Sequence, residues 1–325
     1  MSKYIGRRVS IGIAKEAVRG TAESTPTFFV PQIELTLDEK ITQAVDESTV
    51  DRIEDSVGAK LTERMSLGTI RGHIRDKEIG LWLLASIGAV STSLDDPESG
   101  VNKHTFSVLN SAQHPSLTLT EKSPDVDRAY ALMMLDTFSM NVTLNELISF
   151  VATFRSKKSE SATTTVIVDE QTKFVPQFAT FKTAANLAGL SGASAVKIKV
   201  FNLTITKNLE DDRNFGSTDP DDILNKQFMI DGTVELLFDD SSFEDFVTGD
   251  TQRAMRIDLV NTDVTIGAST NPSLKFDLAK VKFSEIARTQ GINDLVAQTL
   301  TFKGFFSLSD SKSIEAELIN TQVSY

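Results

Sequence analysis

The sequence predicts a mainly β protein, built as two tandem β-sandwich or barrel domains that each carry one short flanking α-helix. Runs of alternating apolar residues, bounded by turn signals, recur along the chain, and similar runs follow one another in similar order in its two halves. The tetrapeptide FVPQ stands at 29–32 and again at 174–177, and 325 residues suffice for two domains with cores of their own.

IELTLDEK from Ile33 resembles FNLTITKN from Phe201, with Ile33, Leu35 and Leu37 alternating as Phe201, Leu203 and Ile205 do. Both read as strands. Ile70, Gly72 and Ile74 alternate ahead of a helical pattern at Ile79, Trp82, Leu83 and Ile87, and Ile230, Gly232 and Val234 alternate ahead of Phe243, Phe246 and Val247. Ser241 and Glu244 have capping-box spacing, and Gly88 and Gly249 would end the two helices. HTFSVLN at 104–110 then matches AMRIDLVN at 254–261, and HPSLTLT from His114 matches NPSLKFD from Asn271. Finally Phe150, Ala152 and Phe154 pair with Gln298, Leu300 and Phe302. The polar stretch RSKKSESATTTVIVDEQTK marks the boundary. This gives an N-terminal arm at 1–28, a first domain at 29–158, a linker at 159–173 and a second domain at 174–325.

Between the first two strands of each half lies a long polar loop, DEKITQAVDESTVDRIEDSVG at 38–58 and KNLEDDRNFGSTDPDDILNK at 207–226. Loops of this length are functional or disordered, and two at corresponding positions argue for use.

Composition narrows the function. Apolar residues at 40% and charged residues at 24% are those of a folded globular chain, and no apolar run is long enough to span a bilayer as a helix. The apolar stretch after Arg8 is broken by Lys15 and Glu16, which opposes a cleaved signal. Cysteine is absent, so neither disulfides nor thiolate chemistry contribute. A net charge of −12 opposes loose binding to DNA or anionic membrane. Only His73, His104 and His114 are present, with no Cys/His cluster, nucleophile elbow, zinc-protease motif or P-loop, so an enzyme is not expected and no cofactor is implied. His73 and His114 read as surface residues, and Trp82 reads as core. DPDD at 219–222 and FDDSSFED at 238–245 lack the ligand spacing of a calcium loop and read as solvated charge or helix capping.

A family resemblance rests on three stretches: IGIAKEAVRGTAESTPTFFVPQIELTLDEKI, IEDSVGAKLTERMSLGTIRGHIRDKEIGLWLLASIGA, and NTDVTIGASTNPSLKFDLAKVKFSE with QTLTFKGFFSLSD. Together they resemble the tail tube proteins of tailed bacteriophages, especially the major tail proteins of long non-contractile tails. The resemblance implies tail-tube-like β domains stacked as rings, six domains around a lumen, with strands of neighbouring domains joined into one inner barrel. It further implies a virion protein assembled in the cytoplasm of an infected bacterium, partnered with itself, a tape measure protein and tail-end proteins, while the genome passes without specific binding.

Carried onto this chain, the ring-stacking candidates are Asp38, Glu39, Asp46, Glu47, Asp51, Arg52, Glu54 and Asp55 in the first loop, and Glu210, Asp211, Asp212 and Arg213 in the second. Thr137, Ser139, Asn141 and Thr143 are lumen candidates. Two tube domains per chain would close a pseudo-sixfold ring with three copies. The rival function is a β-sandwich recognition module that binds a receptor or carbohydrate, which the scarcity of loop aromatics disfavours.

Overall fold

The computed structural model describes residues 3–97, 100–238, 241–293 and 295–325. The first half runs β1 (Ser10–Lys15), β2 (Phe28–Val30), β3 (Gln32–Asp46), β4 (Gly58–His73), α1 (Ile79–Ile87), β5 (Gly88–Asp96), β6 (Val101–Val108), β7 (Leu117–Lys122), β8 (Arg128–Thr143), β9 (Ser149–Ser156) and β10 (Ser159–Ser161). The second half runs β11 (Ala179–Ala184), β12 (Ala195–Val196), β13 (Ile198–Thr206), β14 (Leu209–Asp212), β15 (Asp222–Asn225), β16 (Met229–Leu237), α2 (Ser242–Thr248), β17 (Arg253–Val260), β18 (Ser273–Thr289), β19 (Ala297–Gly304) and β20 (Ile314–Asn320). The architecture is mainly β, as the alternation predicts.

One antiparallel sheet crosses both halves in the order β3–β4–β9–β8–β13–β16–β19–β18. Against it lie two outer layers, β2–β1–β7–β8–β10 and β5–β6–β20–β18–β17–β11–β12. The long strands β8 and β18 belong to both, pairing early with the outer layer and late with the central sheet. Each carries a bulge where it changes partners, after Leu135 and after Phe283, which is how a strand turns such a corner. One continuous apolar core fills the space between the layers, from Ile11 and Ile13 through Phe150 and Phe154 to Phe201, Phe302 and Leu318.

The same devices recur in both four-stranded groups. Gly68 stands opposite Phe154, and Gly232 stands opposite Phe302. A Cβ on either glycine would fall within the facing phenyl ring, so each ring lies flat over its neighbour's backbone. β3 and β13 share a bulge at their entry, after Gln32 and after Ile198.

These marks correct the alignment read from the sequence. Leu37 faces Gly68 as Leu203 faces Gly232, so Leu37 corresponds to Leu203 rather than to Ile205. Gly232 corresponds to Gly68 rather than Gly72. β17 occupies the place of β7, not of β6, because β5 and β6 form an extra hairpin whose second strand pairs with β20. The two FVPQ copies are not equivalent: the first lies on β2 and the entry to β3, whereas the second leads through a 3-10 turn at Pro176–Phe178 into β11. Alternation alone is satisfied by any shift of two residues, so it fixes the face of a strand but not its register. The match of Phe150, Ala152 and Phe154 to Gln298, Leu300 and Phe302 holds in register, because Gly68 and Gly232 face its two ends.

Other expectations shift as well. Residues 10–15 of the 1–28 segment are a strand between β2 and β7, with Ile11 and Ile13 fully buried, so that part is not a free arm. Residues 159–161 of the 159–173 stretch pair with β8. Ser241 makes no side-chain cap to α2, so the capping box does not form; its hydroxyl lies 3.4 Å from Asp245 Oδ2.

α1 is apolar on all sides, which suits a helix enclosed in a core, and each of its nine residues is buried. Trp82 packs on Phe150 with ring centroids 5.4 Å apart. Gly88, at φ 111°, ends the helix with its N–H on Leu84 O. At the other end Glu78 is buried beside Asp76, its nearest cation Arg75 being 4.0 Å away, and burial pushes its carboxyl up to about 8. A raised carboxyl contributes stability that is fully present below its unfolded value near 4.5 and is lost as pH rises through about 8. Replacing Glu78 with Gln should therefore flatten the fall in stability between about pH 5 and pH 8, by on the order of a few kcal/mol, in denaturant unfolding across that range. Gly232→Ala should cost about 1–3 kcal/mol or more, because its Cβ would meet the Asn202 carbonyl as well as the Phe302 ring, read as a lowered melting temperature.

Candidate assembly surfaces

The first of the two polar loops is about half strand. β3 and β4 stay paired beyond the central sheet, from Lys40↔Met65 to Asp46↔Gly58, as a two-stranded ribbon that is exposed on both sides from Ile41 to Asp46 and from Gly58 to Thr62. Period-2 alternation continues through Ile41 and Val45, which keeps the segment extended despite its carboxylates. Asp38, Glu39 and Asp46 lie on β3, and Glu47, Asp51, Arg52, Glu54 and Asp55 lie at the ribbon's tip. Glu39 pairs with Arg64 at 2.6 Å, and Asp46 accepts from the backbone N–H of Ser48 at 3.0 Å. Ile41, Val45 and Leu61 are exposed along the ribbon, and Ile53 is wholly exposed at its tip.

The second loop folds differently. It forms the small hairpin β14–β15 and folds against the ribbon's base. Arg64 donates its backbone N–H to Thr218 O at 2.9 Å, and Arg213 donates to the same carbonyl at 3.2 Å. Arg213 also lies 3.8 Å from both Glu63 and Asp211, while Asp211 lies 3.6 Å from Arg155. Glu210 is paired with Lys226 at 2.9 Å, and Asp212 sits at the exposed end of β14. The carboxylates of DPDD are likewise engaged: Asp219 pairs with Lys158 at 3.0 Å and Asp222 with Arg19 at 2.7 Å. Asp239 and Asp240 of FDDSSFED lie outside the described residues.

Thr137, Ser139, Asn141 and Thr143 alternate on β8 with Phe138, Met140 and Val142, which are buried in the core. They therefore share the polar face of the central sheet. Ser139 bonds Thr204 at 3.0 Å and Thr137 bonds Thr153 at 2.5 Å. Asn202 donates to Thr233 at 3.0 Å, continuing a band of hydroxyl and amide groups onto the second four strands. Register places Glu34, Asp38, Asp231, Glu235 and Glu285 on this face together with Lys40, Arg71, Arg155, Lys282 and Lys303, so carboxylates and cations are evenly matched there.

Among the described residues the central sheet ends in two unpaired edges. β3 has β4 on one side and no described strand on the other, and the same is true of β18 beyond its pairing with β17 and β20, where β19 accompanies it.

Two cations, buried Lys207 and half-buried Arg19, tie the two halves together where β8 meets β13, and the sequence carries no pattern that marks them. Lys207, 1% exposed, donates to Ala85 O at 2.5 Å, near the C-terminus of α1, where the helix dipole favours a cation. Burial pushes this lysine down to about 7, with the Arg19 charge adding to the shift. Arg19 reaches across from the first half to Asp222 and to Ile223 O at 2.7 Å, and it also donates to His114 O. His114 is buried rather than on the surface: it lies over Gly88, which has no Cβ to occupy the space, and its Nε2 is 2.8 Å from Leu109 O. Burial pushes its imidazole down to about 4, with the Lys207 charge second. His73 is half-buried and His104 is buried, within reach of Asn320 and Thr92.

A family model described as phage tail tube protein matches residues 6–304. No curated protein matches the chain. Among solved structures, one described as "Crystal structure of Hcp protein" aligns at 8% identity and a TM-score of 0.24, over 42% of this chain and 96% of that one, a likeness too slight to define the fold. The family match takes in both groups of the central sheet, the ribbon and both helices, and on it the chain belongs to the phage tail tube protein family, as a structural component of the virion tail.

Proposed function

We propose that the chain is a double tube unit, three copies of which close a ring around a lumen and stack, ring on ring, into the tail tube. The observation that carries this is the ladder between β8 and β13. Two four-stranded groups with matching bulges and matching Gly–Phe pairs join edge to edge inside one chain, and each leaves a further edge open. Unpaired edges of this length invite another strand, and head-to-tail contacts that close by rotation leave no edge exposed.

The polar face that carries Thr137, Ser139, Asn141 and Thr143 would line the lumen. A wall of hydroxyls and amides whose cations stand beside carboxylates, Arg155 by Asp136 and Asp211 and Lys303 opposite Asp231, would hold phosphates weakly, and the chain's net negative charge repels them within a Debye length of about 8 Å, so a duplex slides past. The ribbon beyond Lys40 would reach the adjacent ring, because a two-stranded ribbon with exposed Ile41, Val45 and Leu61 is marginal in water without a partner surface. The hairpin holding Asp211 and Arg213 would brace that ribbon rather than make the ring contact itself. Assembly would take place in the infected host's cytoplasm, with a tape measure protein and tail-end proteins setting length and ends. The role is architectural and calls for no catalytic group.

Cryo-electron microscopy of the concentrated protein tests the reading. Hollow tubes with three chains per ring are expected; six chains per ring would refute the double unit, and a dispersed monomer at every concentration would refute the tube. Replacing residues 43–60 by a two-residue Asn-Gly turn should abolish tubes while changing the monomer's stability by no more than about 1 kcal/mol, since the removed segment is exposed throughout. Thermal unfolding and electron microscopy of the same sample separate the two effects.

A further inference from the structure

We propose that neighbouring chains join through β3 of one copy and the late part of β18 of the next in a single register, and that this seam is ionic where the internal seam is neutral. The inference rests on the ring reading above.

The internal seam supplies the template. β13 pairs with β8 from Val200↔Thr143 to Thr206↔Thr137, with Leu203 opposite Met140. Two marks transfer this register to the open edges. Leu37 faces Gly68 as Leu203 faces Gly232, so Leu37 takes the place of Leu203. Leu135 faces Phe154 and Phe283 faces Phe302, each just before a bulge, so Glu285 takes the place of Thr137 and Arg288 that of Met140. Between copies, Leu37 therefore falls opposite Arg288, Thr36 opposite Thr289 and Lys40 opposite Glu285.

Burial agrees with this placement. Phe201, Leu203 and Phe138 are at most 1% exposed at the internal seam, whereas their counterparts Leu35, Leu37 and Ile286 are only half-buried. A second copy would complete their enclosure. The chemistry of the two seams differs: Thr137–Thr143 and Val200–Thr206 contain no charged residue, while the open edges carry Glu34, Asp38, Glu39 and Lys40 on one side and Glu285 and Arg288 on the other. Opposed Lys40 and Glu285 attract, while Glu39 and Arg288, which would lie diagonal to each other, are already paired within the chain with Arg64 and Glu244. Closure of the ring should therefore weaken with salt while the internal seam does not.

Charge reversal and cross-linking test this. Lys40→Glu and Glu285→Lys should each reduce tube yield several-fold at low salt, and the double reversal should restore it. In this cysteine-free chain, Thr36→Cys with Thr289→Cys should oxidise between copies, since directly opposed residues lie within disulfide reach, and give a denaturing-gel ladder that ends at three chains. Asn141→Cys with Asn202→Cys, the same position in the internal seam, should close within one chain and give no ladder. Tubes that form without the Thr36–Thr289 cross-link, or a double reversal no better than the single ones, would overturn the register. Parent protein that forms no ring under any condition would overturn the ring reading and this seam with it.

Discussion

Thr137–Thr143 on β8 and Val200–Thr206 on β13 exchange main-chain hydrogen bonds, and this ladder turns two four-stranded groups into one sheet. Without it each group would end in an open edge beside the other, and the core that runs from Ile11 to Leu318 would be split. The ladder also fixes orientation. Because side chains alternate, the register that sets Phe138 and Ile205 in the core sets Ser139 and Thr204 on the opposite face, and one residue of slip would exchange them.

Two cations reinforce that arrangement. Buried Lys207 and half-buried Arg19 each come from one half and find their acceptors in the other, at Ala85 O and at Asp222 with Ile223 O. Opening the seam would break these charge-assisted hydrogen bonds, which are stronger than those between neutral groups. Joining the halves in one chain also makes their meeting intramolecular, at an effective concentration no free association would match.

Much of the fold was legible in the sequence. The strands alternate, the glycines that end both helices are visible, and the β9 and β19 patterns match in register. The shifts in alignment share one reason: alternation reports which face a residue takes, not which residue it meets. The repeated FVPQ carries no register, whereas Gly68 and Gly232 do, and their meaning depends on phenylalanines more than sixty residues away in sequence. The carboxylates of 38–58 concealed a ribbon because charge was read as loop, although Ile41 and Val45 kept the strand period. The divided roles of the two candidate loops could not be read locally, since the second is tied down by Glu63, Arg64 and Arg155, contributed by distant strands. His114 looked like a turn residue because the space over Gly88 exists only in the folded chain.

The two groups share a plan, yet only the first extends a ribbon. In a ring of identical one-unit subunits every sector would carry the same projection, and successive rings could settle at any of six equivalent angles. In the proposed three-copy ring, a ribbon on alternate sectors only would reduce that freedom to three. The intervening sectors would then be released from the task of interlocking, and their surfaces could diversify without disturbing the pitch of the tube. Fusion would thus make the assembly less symmetric but more sharply defined, with a coarser set of angular detents between one ring and the next.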